Sequence, residues 1–376
     1  MRKIILSISL LLITFCLTAQ EKKIPQKYYD FVAKLDSSIN VGDATFWANN
    51  SNKKFFLNRM KTNINHPLND SQEKELTEGV NYLVKMTPKK LITNMGNDGF
   101  FENIDLSRNE KGQIRALFRV TFPQGGLNYQ DMWLGELNNK VVINDIYVYS
   151  LGEEYSKIMS RMFLLQLDKK RTEQFMAFNR AKMLIKKGNL KEGKKAYQQL
   201  PTSVQNKKTI LFNFLQALMG QDGEEANEMY LEFLTKYTRI YPNDPSLALI
   251  QIDYFFLKKE YAKGLANINQ LQKKLKGDIY LDFYKAIIHS AKGENELVIK
   301  LMQDLISKNK YINMAYSTII DAYYATKNYK KLLQYLIEFC EINSLNPEDI
   351  VTPEEFKDFL ASKAWKDYQA KQKQKD

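Results

Sequence analysis

Apolar positions in the C-terminal half of the chain return every 34 residues. Tyr261, Asn295 and Tyr329 are spaced at that interval, with Tyr254, Ile288 and Ala322 seven positions before them. Leu265, Ile299 and Leu333 lie four positions after, and Leu271, Leu305 and Phe339 ten after. This period in a helical pattern predicts stacked helix pairs, none able to bury its apolar face alone. Tracing the turn position backwards reaches Gly223 and Leu190, so five pairs are expected over 171–343. From Glu153 onward no strand is expected. Beyond the repeats, Thr352-Pro353-Glu354-Glu355 reads as a capping box with proline at the first helical position. The stripe Phe356, Phe359, Leu360, Ala364 and Trp365 predicts a helix closing the open end of the array, with a frayed tail after Ala370.

The first half is patterned differently. Tyr28, Phe31, Val32 and Leu35 share one face of a helix over Tyr28–Ile39. Phe55, Phe56, Arg59 and Met60 predict a second helix, and Leu76, Val80, Leu83 and Val84 a third. A run of strands is expected from Asp98. Gln113 to Phe122 alternates, with Ile114, Ala116, Phe118, Val120 and Phe122 on one side and Arg115, Arg119 and Thr121 on the other. Segments 127–137 and 140–150 continue the meander across Asn138-Asn139, a pair that tolerates positive φ. Gly112 and Gly125-Gly126 mark the earlier connections. Helices followed by an antiparallel sheet make an α+β domain with helices on one sheet face.

On these patterns 20–166, and above all the strand Val141–Ser150 followed by Gly152 and a helix, resembles the NTF2-like, or cystatin-like, group. That group contains enzymes, ligand carriers and dimerisation modules, so a homodimer through this domain is one expectation. The array at 167–345 resembles the tetratricopeptide repeat family, a superhelical solenoid. It departs from that family in having Tyr254, Ile288 and Ala322 where tryptophan is usual, Lys258 where a small residue is usual, and closing prolines only near Pro242 and Pro245. Residues 346–376 form the capping segment.

Residues 1–19 carry a basic start (Arg2, Lys3), an apolar run from Ile4 to Leu17, and the small pair Thr18-Ala19. That predicts a cleaved secretory signal. Phe15 before Cys16 argues against lipidation, and the longest later apolar patch, Met162 to Leu167, is far too short to span a bilayer. A soluble, exported protein is expected. The chain is similar to exported proteins of Gram-negative bacteria, which implies the periplasm. Without Arg2 and Lys3 the basic count falls from 55 to 53 against 43 acidic residues. In an exported protein that excess points to an anionic peptide, glycan or lipid surface rather than to nucleic acid. Cys340 alone remains after the signal, in an apolar helical stretch, and is expected to be a buried hydrophobe.

Catalytic signatures are missing. His66 sits before a proline, His289 lies inside a repeat helix, and there is no metal-ligand spacing, nucleophile elbow or phosphate-cradling glycine loop. No cofactor is expected. One enzyme or small-ligand alternative stays open. Tyr129, Asp131 and Trp133 should neighbour Asp145, Tyr147 and Tyr149 on one sheet face. In an NTF2-like cavity, Tyr129, Asp131, Asp145 and Tyr147 could then act as a carboxylate base and tyrosine donor. The main expectation is a protein-binding scaffold. The repeat resemblance implies that the first helix of each pair lines a concave groove. Carried over, this assigns Phe214, Phe255, Lys259, Lys263, His289, Tyr323, Lys327, Lys330 and Lys331, aromatics among lysines suited to an acidic protein segment.

Overall fold

The structure is a computed structural model and describes residues 23–97, 99–122, 126–242, 244 and 246–372. Residues 1–22, where a cleaved signal is expected, and Asp98, Gly125, Pro245 and the last four residues lie outside the described residues. The chain is α+β: a helical region, a five-stranded antiparallel sheet, then a mostly helical part.

The first region holds α1 (Gln26–Asn40), α2 (Thr45–Asn49), α3 (Lys53–Ile64) and α4 (Asp70–Met95). The expected face of α1 is buried, including Tyr28, Phe31, Val32 and Leu35. Asn69 caps α4 through a reciprocal box with Gln72, which satisfies two free N–H groups. The short α2 has no periodic signal, being five residues long; it is held because Trp47 is buried against Phe101.

The sheet is a plain meander of β1 (Phe101–Arg108), β2 (Ile114–Thr121), β3 (Leu127–Leu137), β4 (Lys140–Val148) and β5 (Glu153–Glu154). Asn138 and Asn139 both adopt positive φ (51° and 62°), as a two-residue hairpin turn requires. The short β5, pairing Tyr147 with Glu154, corrects the expectation of no strand after Glu153. A bulge opposite Trp133 and Leu134 leaves Asn144 as the extra residue of β4.

One sheet face, with Ile114, Ala116, Phe118, Val120, Met132 and Ile146, packs under α1, α2 and the end of α4. The other face is not solvated. After α5 (Tyr155–Leu167), which packs with α3 and α4, come α6 (Lys169–Lys186), α7 (Leu190–Gln198), α8 (Thr202–Gln205), α9 (Lys208–Met219) and α10 (Glu224–Ile240). They are followed by α11 (Leu247–Leu257), α12 (Tyr261–Lys274), α13 (Leu281–Ala291), α14 (Asn295–Lys308), α15 (Asn313–Ala325) and α16 (Tyr329–Asn343). Leu117 and Tyr129 on the second sheet face share a core with Ile252, Ile268, Leu271 and Ile288 of α11–α13. This contact explains why Arg119 and Thr121, expected on an open face, are buried.

Four of the five pairs close with one geometry. Gly188, Lys259, Gly293 and Lys327 are left-handed (φ 80°, 56°, 75° and 56°). At each, that residue and its successor donate N–H bonds back into the preceding helix: Lys259 to Phe256 (2.9 Å) and Glu260 to Phe255 (2.8 Å), Lys327 to Tyr324 (3.0 Å) and Asn328 to Tyr323 (2.9 Å). These bonds satisfy the carbonyls a helix end leaves open. The pair α9–α10 differs, because its turn is one residue longer. Gly223 is therefore the N-cap of α10 rather than its first helical residue.

The end of the chain is α17 (Pro347–Ile350), α18 (Pro353–Leu360) and α19 (Lys363–Gln372). Phe359 and Trp365 of the expected stripe are buried against Leu332, Leu336 and Cys340, but the stripe is split over two helices. Pro353 opens α18 as expected, whereas Thr352 makes no side-chain cap bond; its hydroxyl lies 3.5 Å from Glu355 Oε2 instead. Cys340 is buried, and burial pushes its thiol up to about 11. No helix among the described residues is long and apolar enough to cross a membrane.

Candidate functional site

The expected groove residues separate into two groups. Phe214 is fully buried, with ring centroids 4.5 Å from Tyr197 and 4.6 Å from Phe233. Tyr323 is 5% exposed, stacks on Tyr335 and accepts a hydrogen bond from Gln303. Both are core residues, not groove contacts, and their assignment is corrected. Phe214 stands five residues before the end of α9, as the buried Ile252, Ala286 and Ile320 do in α11, α13 and α15, so it lies on the core face of its helix. Phe255 is half-buried against Gly264, where a Cβ would meet it at 3.4 Å and Ile288 at 2.9 Å. The glycine lets α12 approach closely. His289 is half-buried and bonded to Glu294 (2.6 Å).

The five lysines behave alike. Lys259, Lys263, Lys327, Lys330 and Lys331 are all exposed. Lys259 and Lys327 occupy the left-handed turn position itself, and the other three lie in the first turn of α12 or α16. Each pair is antiparallel, so its turn and the first turn of its second helix share one end. The loops joining successive pairs lie at the other end, and these face the sheet. Asp278, between α12 and α13, ion-pairs with Arg119 and accepts a bond from Tyr129 Oη (2.7 Å). The same turn edge carries exposed Lys187, Lys258 and Lys292. Lys263 pairs with Glu260 (2.8 Å) and Lys292 with Glu294 (2.6 Å), which partly neutralises the row.

The alternative residues do share one sheet face, since Asp131 lies opposite Tyr147 and Trp133 opposite Asp145. That face turns away from α1, and although Asp145 borders a pocket with Trp47, Leu83, Val84 and Tyr155, its volume of about 30 Å³ is room for roughly a water and not for a substrate. Tyr129 is buried under the helical half with Asp278, and its hydroxyl is pushed well above its usual range by burial and then by the Asp278 charge. Asp145 accepts from Arg59 Nε (2.7 Å), Ser156 Oγ (2.6 Å) and the N–H groups of Ser156 (3.1 Å) and Ile146 (2.9 Å). Four donors occupy its lone pairs, leaving none free to accept a proton from a substrate. Burial raises the Asp131 carboxyl, and the Arg115 guanidinium beside it (3.0 Å) opposes the rise. Burial also raises the hydroxyl of Tyr147.

The sequence reading missed three groups. Arg119 is clamped between Glu102 and Asp278 and lies over the Tyr280 ring, 4.9 Å from its centroid, beside a cleft of about 220 Å³. Its only signal was an arginine in a strand that buries both faces. Asp253, alone in the apolar run of α11, accepts from Tyr230 (3.3 Å), and burial pushes its carboxyl up to about 6. A third is a chamber of about 640 Å³ among the end of the sheet, α5, α6 and α9. It has no linear signature, because its walls come from segments far apart in the chain. Among the described residues no cluster of three or more His, Cys, Asp or Glu is arranged to hold a metal. Comparison of the chain with family models, with curated proteins and with solved structures yields no match.

Proposed function

We propose that this chain is an exported, tetratricopeptide-type scaffold whose helical half docks an acidic segment of a partner protein, with the α+β half serving as a brace. The observation that carries this reading is the turn geometry repeated at Gly188, Lys259, Gly293 and Lys327, which sets exposed lysines along one edge of the helix pairs. The five pairs are read as a superhelical solenoid and the first 19 residues as a periplasmic export signal. The edge replaces the concave groove as the binding surface, because Phe214 and Tyr323, two of the three aromatic residues assigned to the groove, are in the core. A row of lysines steers an acidic partner and sets its orientation more than it adds raw affinity.

The test places a photo-cross-linking residue at position 259 or 327 in the full chain, in cells. A discrete cross-linked envelope protein is expected at both positions. It should be lost at high salt and in the variant Lys258→Glu, Lys330→Glu, Lys331→Glu, which leaves 259 and 327 for the probe and whose fold should survive, since exposed substitutions change stability by roughly 0.5 kcal/mol or less. Products that persist unchanged in the reversed variant would refute the proposal.

A further inference from the structure

The chamber between α5, α6 and α9 has the features of a ligand site. Its volume of about 640 Å³ falls within the ~300–1,000 Å³ typical of small-molecule pockets. The walls are mainly aliphatic and aromatic, with Met159, Leu165, Phe178 and Phe212 among them. Of the charged groups that reach it, Arg161, Lys182, Lys207 and Lys208 are cationic and Glu153 is acidic. Arg161 and Lys208 are already matched, to Glu153 and to Asp244 (2.6 Å). Lys182 is not. It is half-buried, its ammonium lies over the Phe178 ring at 5.8 Å, and it has no carboxylate partner among the described residues. Burial, with Lys186 nearby, holds its pKa below the usual lysine range. An unmatched half-buried cation costs desolvation that an anion would offset. The first turn of α9, a twelve-residue helix, also opens on the chamber at Lys207, Lys208 and Thr209, with no side-chain cap. The positive end of the helix dipole favours negative charge there as well, although the Lys208 N–H is turned to the Tyr241 hydroxyl.

We propose that this chamber binds a single-tailed amphiphile with a carboxylate head, such as a long-chain fatty acid. The tail lies along the Met159, Leu165 and Phe212 walls, and the head meets Lys182 at the start of α9. Charge complementarity selects the head, and the dry wall selects the tail. This site is independent of the lysine edge, so the two readings stand or fall separately.

Calorimetric titration of the full chain with palmitate, below its aggregation threshold, tests the proposal beside the matched alcohol, hexadecanol. One-to-one saturable palmitate binding is expected, with the alcohol weaker. Lys182→Gln should weaken palmitate by about tenfold or more, since a charge-assisted contact is lost, and leave the alcohol unchanged. Leu165→Trp, checked for an unchanged melting temperature, fills the chamber and should abolish both. If Leu165→Trp melts early, native mass spectrometry of Lys182→Gln decides alone. Absence of saturable palmitate binding, equal loss of acid and alcohol in Lys182→Gln, or unchanged binding in a folded Leu165→Trp would overturn the proposal.

Discussion

Residue by residue, the carboxylates of this chain differ in what surrounds them. Asp145 and Asp278 are buried with donors aimed at both oxygens, and an unpaired carboxylate there would be costly. Asp253 differs from these two, because its donor is Tyr230 alone and no cation pairs with it among the described hydrogen bonds and ion pairs, and its carboxyl is raised from 3.8 to about 6. A carboxyl raised on folding favours the folded state while protonated. Stability should therefore fall as pH rises from 3.8 to about 6 and stay lower above that. Asp253→Asn keeps the tyrosine bond without the charge. It should raise stability at neutral pH by roughly 1–2 kcal/mol and flatten the acid-side slope. Urea melts at several pH values measure both, and an unchanged slope would count against the burial of this carboxyl.

Among elements, the helix pairs depend on small residues and special turns at fixed positions. Gly193 and Gly264 admit a neighbouring helix where a Cβ would strike Ile185 or Ile288. Ala322 occupies the corresponding interior of α15 and is 4% exposed. Ala322→Lys puts a charge into that contact and should destabilise the chain by several kcal/mol. Thermal unfolding that matched the unmodified protein would show the packing to be different. Lysine at the left-handed positions 259 and 327 carries the Cβ–backbone strain of positive φ, which glycine, as at 188 and 293, avoids.

For the whole molecule, the decisive contact lies between the sheet and the helical half. Arg119 of β2 reaches Asp278 in the loop between α12 and α13, and Tyr129 of β3 donates to the same carboxylate. Arg119→Met removes one partner and leaves Asp278 buried with less compensation, which should cost about 3–5 kcal/mol. Adding Asp278→Leu should recover part of that loss, because two apolar groups need no mutual charge. A double-mutant cycle by denaturant unfolding reads this coupling. Additive losses would mean that the ion pair does not join the two halves.

What the sequence determined by itself was local. The face of α1, the alternation of β2, the Asn138-Asn139 turn and the 34-residue recurrence all follow from side-chain periodicity, which depends on neighbours along the chain. The short α2 and the longer α9–α10 turn were not legible, because five residues carry no period and one inserted residue shifts a register silently. Only the tertiary structure decided what covers the second face of the sheet, which aromatics of the helical half are core, and where the chamber beside Lys182 lies. Those outcomes depend on contacts between residues far apart in the chain, such as Arg119 with Asp278 and Val148 with Phe178 around one cavity. Periodicity tells which side of an element is apolar, but not which distant surface will bury it.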